Sequence, residues 1–158
     1  MPSESTPLTQ YTEETYDKVM DLNVKGVFTA TRAAVDCMIQ QGGGVILNTS
    51  SMVSISGQPA GFAYPASKFA VNGMTISLAR ELGPKGIRVN AISPGPLATR
   101  AASGIPDFDA LLQEAVQRAP LRRLVDIAEV GALCSFLAGD GARAITGSTL
   151  YVDAERDA

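Results

Sequence analysis

Long helical patterns alternate with short apolar runs along the 158 residues of this chain. Three of these runs are typical of β-strands, and they lie at residues 45–49, 87–92 and 148–152. The first is apolar on both faces, as expected of a strand buried inside a parallel sheet. Parallel neighbours need a crossover connection, usually a helix, so the alternation predicts an α/β fold with right-handed crossovers. Three strands are few, since sheets usually hold about five or six.

Helical patterns account for most of the remaining chain. Thr12 provides an N-cap for a long helix that ends at the glycines of residues 42–44, and Gly26 in its middle permits a bend. Further helices are predicted over residues 64–82, 108–118 and 127–137. The sequence shows neither an internal repeat nor a low-complexity segment, and its length is that of one domain.

Composition limits the classes of partner. The chain has 13 basic and 16 acidic residues, and the basic ones are scattered, so nucleic acid is not an expected partner. No apolar stretch approaches the ~20 residues of a membrane span. No secretory signal pattern opens the sequence, which predicts a cytoplasmic protein without membrane contact.

Histidine is absent from the chain. This absence excludes His-containing triads and imidazole proton shuttles, so acid–base chemistry must come from Tyr, Lys, Cys or carboxylate side chains. Neither Cys37 nor Cys134 has a second ligand at metal-binding spacing, so no metal site is predicted. Both cysteines are expected to be buried free thiols.

The segment YPASK, residues 64–68, opens one predicted helix and is the first candidate for chemistry. Side chains four residues apart share a helix face, so the Lys68 ammonium is predicted to lie near the Tyr64 phenol. A nearby cation favours phenolate and lowers the pKa of a tyrosine from about 10 toward the range of a working general acid. A solvated helix contact is the alternative interpretation of this pair.

Three other positions can bring polar groups or backbone close to a ligand. Ser51 follows the first strand, at the sheet edge where α/β folds bind ligands, although a Ser there also serves as a turn cap. Asn23 lies inside the first helix, an unfavourable place unless it faces solvent or makes a specific contact. Pro94 and Gly95 form a turn after the second strand, where the backbone can approach a ligand.

Four motifs together resemble the short-chain dehydrogenase/reductase family. They are NTSS at residues 48–51, YPASK at 64–68, DLNVKG at 21–26 and RVNAISPG at 88–95, and the similarity covers nearly the whole chain. The resemblance implies that the fold is the C-terminal part of a doubly wound, Rossmann-type parallel sheet with flanking helices.

The same resemblance implies the catalytic residues. Tyr64 would be the acid/base, and Ser51 would bind the carbonyl or hydroxyl oxygen of a small-molecule substrate. Lys68 would hold the nicotinamide-ribose hydroxyls, and Asn23 would anchor the water of a proton relay. A preorganised hydroxyl and phenol fit this chemistry, because reduction places negative charge on the substrate oxygen as hydride arrives.

The cofactor implied by the resemblance is NAD or NADP. Pro94 and Gly95 would border the nicotinamide, while the Leu97 backbone and the Thr99 side chain would reach its carboxamide or phosphates. The family's Gly-rich turn, TGxxxGxG, is missing from this chain, and Ala154 replaces the glycine that usually follows the terminal Asp. We therefore expect a single partial domain, residues 1–158, with an incomplete cofactor site and without the family's first βα units, about 90 residues.

Two functions from different classes remain open. The first is an NAD(P)-dependent oxidoreductase, a carbonyl reductase or secondary alcohol dehydrogenase similar to 3-oxoacyl reductases or to sugar and polyol dehydrogenases. The 158 residues alone are not expected to turn over substrate. The alternative is a non-catalytic interaction or oligomerisation module. A hydrolase that uses Ser51, Tyr64 and Lys68 is disfavoured, because the chain has no GxSxG elbow.

The resemblance also implies self-association. A homodimer or homotetramer is expected to pack through the helix at residues 64–82 and the last strand, because that helix carries more apolar surface than one sheet contact needs. If the three strands are the last three of the family, the strand at residues 45–49 would lack its inner neighbour. We expect that edge to pair with another copy of the chain or to promote aggregation.

Overall fold

The computed structural model describes residues 7–56, 61–97 and 108–154. Six α-helices lie in these residues: α1 (Glu13–Met20), α2 (Gly26–Gln40), α3 (Val53–Ser56), α4 (Ala63–Leu82), α5 (Phe108–Arg118) and α6 (Ile127–Ala138). The three strands are β1 (Gly44–Thr49), β2 (Ile87–Pro94) and β3 (Thr149–Val152). Among the described residues, no helix combines the length and apolar composition that crossing a membrane requires.

The strands form one parallel sheet in the order β1-β2-β3. Gly44 of β1 pairs with Ile87 of β2, and Ala91 of β2 pairs with Thr149 of β3. Because β2 has a strand on either side and helices on both faces, nearly all of its residues are buried. The predicted α/β fold of three parallel strands with flanking helices is confirmed.

Two clusters of buried side chains hold helices on opposite faces of the sheet. On one face, Val89 packs with Leu82 of α4, and α2 adds partly buried side chains at Val35 and Met38. On the other face, Ile92 packs with Leu137 of α6, Ala142 and several partly buried residues. Val89 and Ile92 point to opposite sides because strand side chains alternate. Each buried Leu, Ile or Val stabilises the fold by about 1.5–3 kcal/mol.

Two glycines let β1 and β2 begin side by side. Gly86 has a φ of +76°, and a Cβ there would lie 2.8 Å from the Gly42 carbonyl oxygen. A Cβ on Gly43 would lie 2.8 Å from the Gly86 carbonyl oxygen. Since real Cβ atoms do not approach backbone oxygens this closely, side chains are excluded at this point and the two turns can pack against each other.

The long helix predicted after Thr12 is interrupted. Thr12 caps α1 as predicted, and its Oγ1 accepts a hydrogen bond from the Thr15 amide at 3.2 Å. Before Gly26, however, Asp21–Lys25 form a π-helical segment that joins α1 to α2. A π turn takes in one more residue than an α turn, and a pattern of apolar residues at helical spacing does not reveal it.

The prediction that both cysteines are buried is wrong. Both thiols are free, but Cys37 is exposed and Cys134 is only half-buried. The stripe of α2 that faces the core contains Val35 and Met38. Cys37 lies about 100° around the helix from Met38, so it points away from that stripe.

Candidate active site

Tyr64 and Lys68 are neighbours on the first turns of α4. The Lys68 ammonium is 5.6 Å from the centre of the Tyr64 ring, within the range of a cation–π contact. Pro65 lies between them in the sequence. Proline has no backbone N–H, and it is tolerated here because the amides in the first turn of a helix have no partner inside the helix. The four-residue spacing therefore brings these side chains together as the sequence predicts.

Lys68 also reaches the carboxyl end of β1. Its Nζ donates a hydrogen bond to the Thr49 carbonyl oxygen at 2.9 Å. Desolvation lowers the pKa of Lys68 below its ordinary value, because partial burial disfavours the charged ammonium. Lys68 thus connects the start of α4 to the sheet edge that leads into Ser51.

The backbone around Ser51 is fixed by hydrogen bonds on both sides. The Ser50 amide donates to the Ile92 carbonyl of β2 at 2.8 Å, which continues the strand ladder by one residue. The Ser51 carbonyl accepts from the Ser54 amide at 3.1 Å and from the Ser54 hydroxyl at 2.8 Å. The hydroxyl that satisfies the Ser51 carbonyl in this turn therefore belongs to Ser54.

Asn23 lies in the π-helical segment and contacts α4 through Ser67. Its Nδ2 donates to the Ser67 Oγ at 3.0 Å, and the Ser67 Oγ donates to the Tyr64 carbonyl oxygen at 2.7 Å. Ser67 is fully buried and Asn23 is half-buried. The sequence analysis did not single out Ser67, although it stands inside the YPASK motif, because its partner is 44 residues away.

Pro94 is the last residue of β2, and Gly95 follows it at the same edge of the sheet. The Gly95 amide donates to the Val152 carbonyl of β3 at 2.9 Å. A Cβ on Gly95 would lie 2.7 Å from the Asp153 carbonyl oxygen, so only glycine allows this close approach. Leu97, two residues after Gly95, is half-buried, and Thr99 lies outside the described residues.

Asn72 is a second residue that the sequence analysis missed. It lies one turn beyond Lys68 on α4, and its Nδ2 donates to the Ser54 hydroxyl at 3.3 Å. Its Oδ1 accepts from the Thr149 hydroxyl of β3 at 3.2 Å. Asn72 therefore ties α4 to both the turn after Ser51 and the last strand, and no local sequence pattern reveals such a bridge.

Two buried serine hydroxyls lie near the carboxyl ends of β1 and β2. Ser50 and Ser93 are 2% and 0% exposed, and within the described part of the chain their Oγ atoms have no hydrogen-bond partner. They directly follow the paired residues Thr49 and Ile92, so they occupy the same level of adjacent strands. Unpaired buried hydroxyls of this kind are typical positions for an ordered water.

A groove of about 520 Å³ runs beside β1, between that strand and α2. Asn23, Thr49 and Lys68 are among its polar lining residues, whereas Ala34 and Met38 belong to its apolar wall. The groove therefore joins the polar contacts of the candidate site to the side of β1 that faces away from β2.

Comparison with known proteins identifies this arrangement. The family described as enoyl-(acyl carrier protein) reductase matches residues 1–154. The chain belongs to the short-chain dehydrogenase/reductase family. This membership confirms the resemblance carried by the four motifs.

Relatives within the short-chain dehydrogenase/reductase family are longer than this chain. A 3α-hydroxysteroid dehydrogenase of Mediterraneibacter gnavus is 50% identical over 96% of the chain and 60% of the relative. A 3-oxoacyl-[acyl-carrier-protein] reductase of Thermotoga maritima is 40% identical over 92% of the chain and 58% of the relative. The chain thus spans about 60% of the length of these curated relatives.

A solved structure of the family has the same fold. The Bacillus cereus enoyl-acyl carrier protein reductase, in complex with NADP+ and indole naphthyridinone, matches with a TM-score of 0.88 and 31% identity. The match covers 96% of this chain and 58% of that one. The Rossmann-type character of the sheet is thereby confirmed.

Proposed function

We propose that this chain supplies the catalytic residues of an NAD(P)-dependent oxidoreductase that interconverts a carbonyl compound and a secondary alcohol. The observation that carries the proposal is the position of the Lys68 ammonium, which contacts both the Tyr64 ring and the carboxyl end of β1. Because the chain has no histidine, a phenol beside a cation is its best acid/base at the edge where Ser51 lies.

In this proposal Tyr64 moves the proton at the substrate oxygen. Its phenol donates a proton when a carbonyl is reduced, and its phenolate accepts one when an alcohol is oxidised. The positive charge of Lys68 favours the phenolate, which makes the phenol a better proton donor and increases the fraction of phenolate available to accept a proton. The Ser51 hydroxyl donates a hydrogen bond to the same oxygen, where negative charge develops. Asn23 anchors a water that replenishes the proton.

The residues at the sheet edge fit the nicotinamide end of the cofactor, which supplies or accepts hydride when bound. An ammonium has three N–H donors, and Lys68 gives one of them to Thr49, which leaves donors for ribose hydroxyls. Pro94 and Gly95 would border the nicotinamide, and the Leu97 backbone and Thr99 side chain would reach its carboxamide or phosphates. Since the sequence contains no TGxxxGxG turn, we propose that this single partial domain holds only that end of NAD or NADP.

The names of two relatives suggest where to look for a substrate. One is named for a 3α-hydroxysteroid and the other for a 3-oxoacyl group on acyl carrier protein. Both groups carry an alcohol or a ketone, which matches the chemistry proposed for Tyr64 and Ser51. A 3-hydroxysteroid and a 3-oxoacyl thioester are therefore the first substrates to test.

We further propose a cytoplasmic homodimer or homotetramer. Phe62, Phe69 and Ile76 are 56%, 61% and 48% exposed. They are spaced seven residues apart, so they form one apolar stripe along α4. A soluble chain rarely leaves such a stripe in water, and a second copy of α4 would cover it.

A non-catalytic interaction module is the second candidate function. The observation in its favour is the sheet: within the described residues, β1 pairs with a strand on one side only. Unpaired backbone groups along such an edge are a template for another strand. An interaction module would bind a partner there and show neither cofactor binding nor turnover.

Substitution of Tyr64 tests the oxidoreductase proposal. Tyr64→Phe removes the phenolic proton but keeps the ring beside Lys68, so kcat should fall by about 10² or more while substrate affinity changes far less. Turnover with NADH and NADPH is measured for two forms of the protein. One is the chain alone, and the other is the chain fused to the part of a relative that the chain does not span.

Tyr16→Phe is the matched control, because Tyr16 only stacks on Phe62 at a centroid distance of 6.2 Å. This control should leave kcat unchanged. Near wild-type turnover of Tyr64→Phe from pH 6 to pH 9 would contradict the role of Tyr64. Absence of both turnover and NADH or NADPH binding in every form would favour the interaction module.

A further inference from the structure

We propose that Ser67 is a positioning residue for Tyr64, acting by locking the π-helical segment Asp21–Lys25 to the first turn of α4. This inference rests on the proposed function, which makes Tyr64 the acid/base. Ser67 touches neither substrate nor cofactor in this proposal. Its hydroxyl works through the Tyr64 backbone, to which it donates at 2.7 Å.

The start of α4 needs such a contact. Phe62 occupies the N-cap position and makes no side-chain cap hydrogen bond, so within the described residues the N-cap side chain does not fix the first turn that carries Tyr64. Two consecutive residues hold the turn instead. Lys68 binds the Thr49 carbonyl of β1, and Ser67 binds Asn23 of the π-helical segment. Because Lys68 and Ser67 bind different elements, together they fix the position of the turn along the helix axis and its rotation about that axis.

The hydroxyl of Ser67 both accepts and donates a hydrogen bond. It accepts from the Asn23 Nδ2 at 3.0 Å and donates to the Tyr64 carbonyl, at a position that is 0% exposed. Loss of this hydroxyl would leave the half-buried Asn23 amide without its acceptor. A π-helical segment is a rare and less favourable turn that is frequent at functional sites, so it depends on outside contacts of this kind.

Thr75 offers a matched control on the same helix. It too is 0% exposed, and its Oγ1 accepts from an asparagine amide, Asn48 Nδ2, at 2.9 Å. Its Oγ1 also donates to a carbonyl of α4, that of Val71, at 2.8 Å. Thr75 therefore repeats the chemistry of Ser67 two turns farther along, away from Tyr64.

The test compares Ser67→Ala with Thr75→Ala in the 158-residue chain labelled with ¹³C-tyrosine. The Tyr64 ring resonance is assigned by its loss in Tyr64→Phe. We expect both alanine variants to lower the melting temperature to a similar extent. Only Ser67→Ala should move or broaden the Tyr64 ring resonance, and Ser67→Thr, which restores a hydroxyl, should return it toward the wild-type position.

Asn23→Ala removes the other half of the contact and keeps the proposal testable if Ser67→Ala fails to fold. It should move the Tyr64 resonance in the same direction, and the double variant should add little to either single change. In a form that turns over, Ser67→Ala should lower kcat by about tenfold or more, while KM changes little, because a small misplacement of an acid/base slows chemistry.

An unmoved Tyr64 resonance in Ser67→Ala, or an equal change in Thr75→Ala, would overturn the positioning role. These outcomes do not depend on activity. If no form of the protein turns over, the oxidoreductase proposal fails, and the resonance comparison still decides whether Ser67 positions Tyr64.

Discussion

Among the described residues, two that are not glycine have backbone angles in the left-handed region. Arg122 has a φ of 54° and Ala154 a φ of 55°. A Cβ in this region crowds the following carbonyl and costs roughly 1–2 kcal/mol. Ala154 stands where the family usually has glycine, so the strain arises from the departure that the sequence analysis noted.

Replacing Ala154 with glycine should therefore stabilise the chain. We expect Ala154→Gly to raise the free energy of unfolding by about 0.5–1 kcal/mol, after the added flexibility of glycine in the unfolded state is subtracted. Ala128→Gly in α6 is the control and should lower the free energy of unfolding, since glycine in a helix costs about 1 kcal/mol. Urea unfolding of the three proteins measures both effects. A loss of stability in Ala154→Gly would show that the side chain makes a contact outweighing the strain.

Local spacing explains which site residues could be predicted. Tyr64 and Lys68 lie one helical turn apart, so their contact follows from sequence alone. The contact between Asn23 and Ser67 spans 44 residues and depends on how α4 packs against the π-helical segment. Sequence reasoning identified Asn23 as a residue that needs a specific contact. It could not name the partner, because tertiary packing chooses it.

At the scale of elements, the N-terminus of α6 has the most complete set of side-chain contacts. Asp126 caps the helix by accepting from the Ala128 amide at 2.8 Å, and Glu129 accepts from the Asp126 amide at 2.9 Å. Arg123 holds both carboxylate oxygens of Glu129 at 2.7 Å. The hydrogen bonds from Arg123 and from the Asp126 amide lower the pKa of Glu129 from an ordinary 4.5 to about 2.

This shift predicts an acid-sensitive helix start. A carboxylate whose pKa is lower in the folded state stabilises the fold above its unfolded pKa, and this stabilisation is lost as pH falls from 4.5 toward 2. Arg123→Gln should raise the Glu129 pKa toward its ordinary value. Carboxyl ¹³C titration by NMR measures the change, and urea midpoints from pH 2 to pH 5 report the stability.

Arg118→Gln is the control for the Glu129 titration, because Arg118 pairs with Glu114 instead. It should leave the Glu129 titration unchanged. The same Glu129 pKa in Arg123→Gln and in the wild type would show that the Asp126 amide alone sets the pKa.

The strands and helices themselves were largely predictable. The predicted strand at residues 87–92 is two residues longer in the structure, as Ile87–Pro94, and the predicted helix at 108–118 matches α5. Helix α3 at Val53–Ser56 was not predicted, and Asp21–Lys25 continues the helical pattern but forms a π turn. Its geometry depends on the contact with α4, and periodicity does not contain that information.

At the scale of the molecule, the described residues leave two large surfaces without a covering element. One is the outer side of β1 with its groove, and the other is the α4 stripe of Phe62, Phe69 and Ile76, in which Tyr16 of α1 covers part of Phe62. The two surfaces differ in kind. The first offers backbone hydrogen bonds to a strand, whereas the second offers apolar side chains to a helix.

Charge placed on the α4 stripe should break the proposed oligomer. Phe69→Glu puts a carboxylate at a position that is 61% exposed in one copy, where it costs little in the monomer but strongly disfavours an apolar interface. We expect sedimentation at micromolar concentration to change from dimer or tetramer to monomer. Leu121→Glu, at an equally exposed position of 61% away from α4, should leave the assembly unchanged.

A wild-type chain that sediments as a monomer would contradict the assembly outright. An oligomer that persists in Phe69→Glu would place its interface elsewhere, with the outer side of β1 as the next surface to test.

The side-chain bridges of α4 also bear on the order of folding. They join residues that are 44, 27 and 77 positions apart in the sequence, from Asn23 through Asn48 to Thr149. Contacts between such distant positions form slowly, because the intervening chain loses its freedom before the contact stabilises anything. The helical turns of α4 form locally within microseconds, but their final rotation must wait for the sheet. The edge that carries Tyr64 is therefore expected to be among the last parts of the chain to reach its native arrangement.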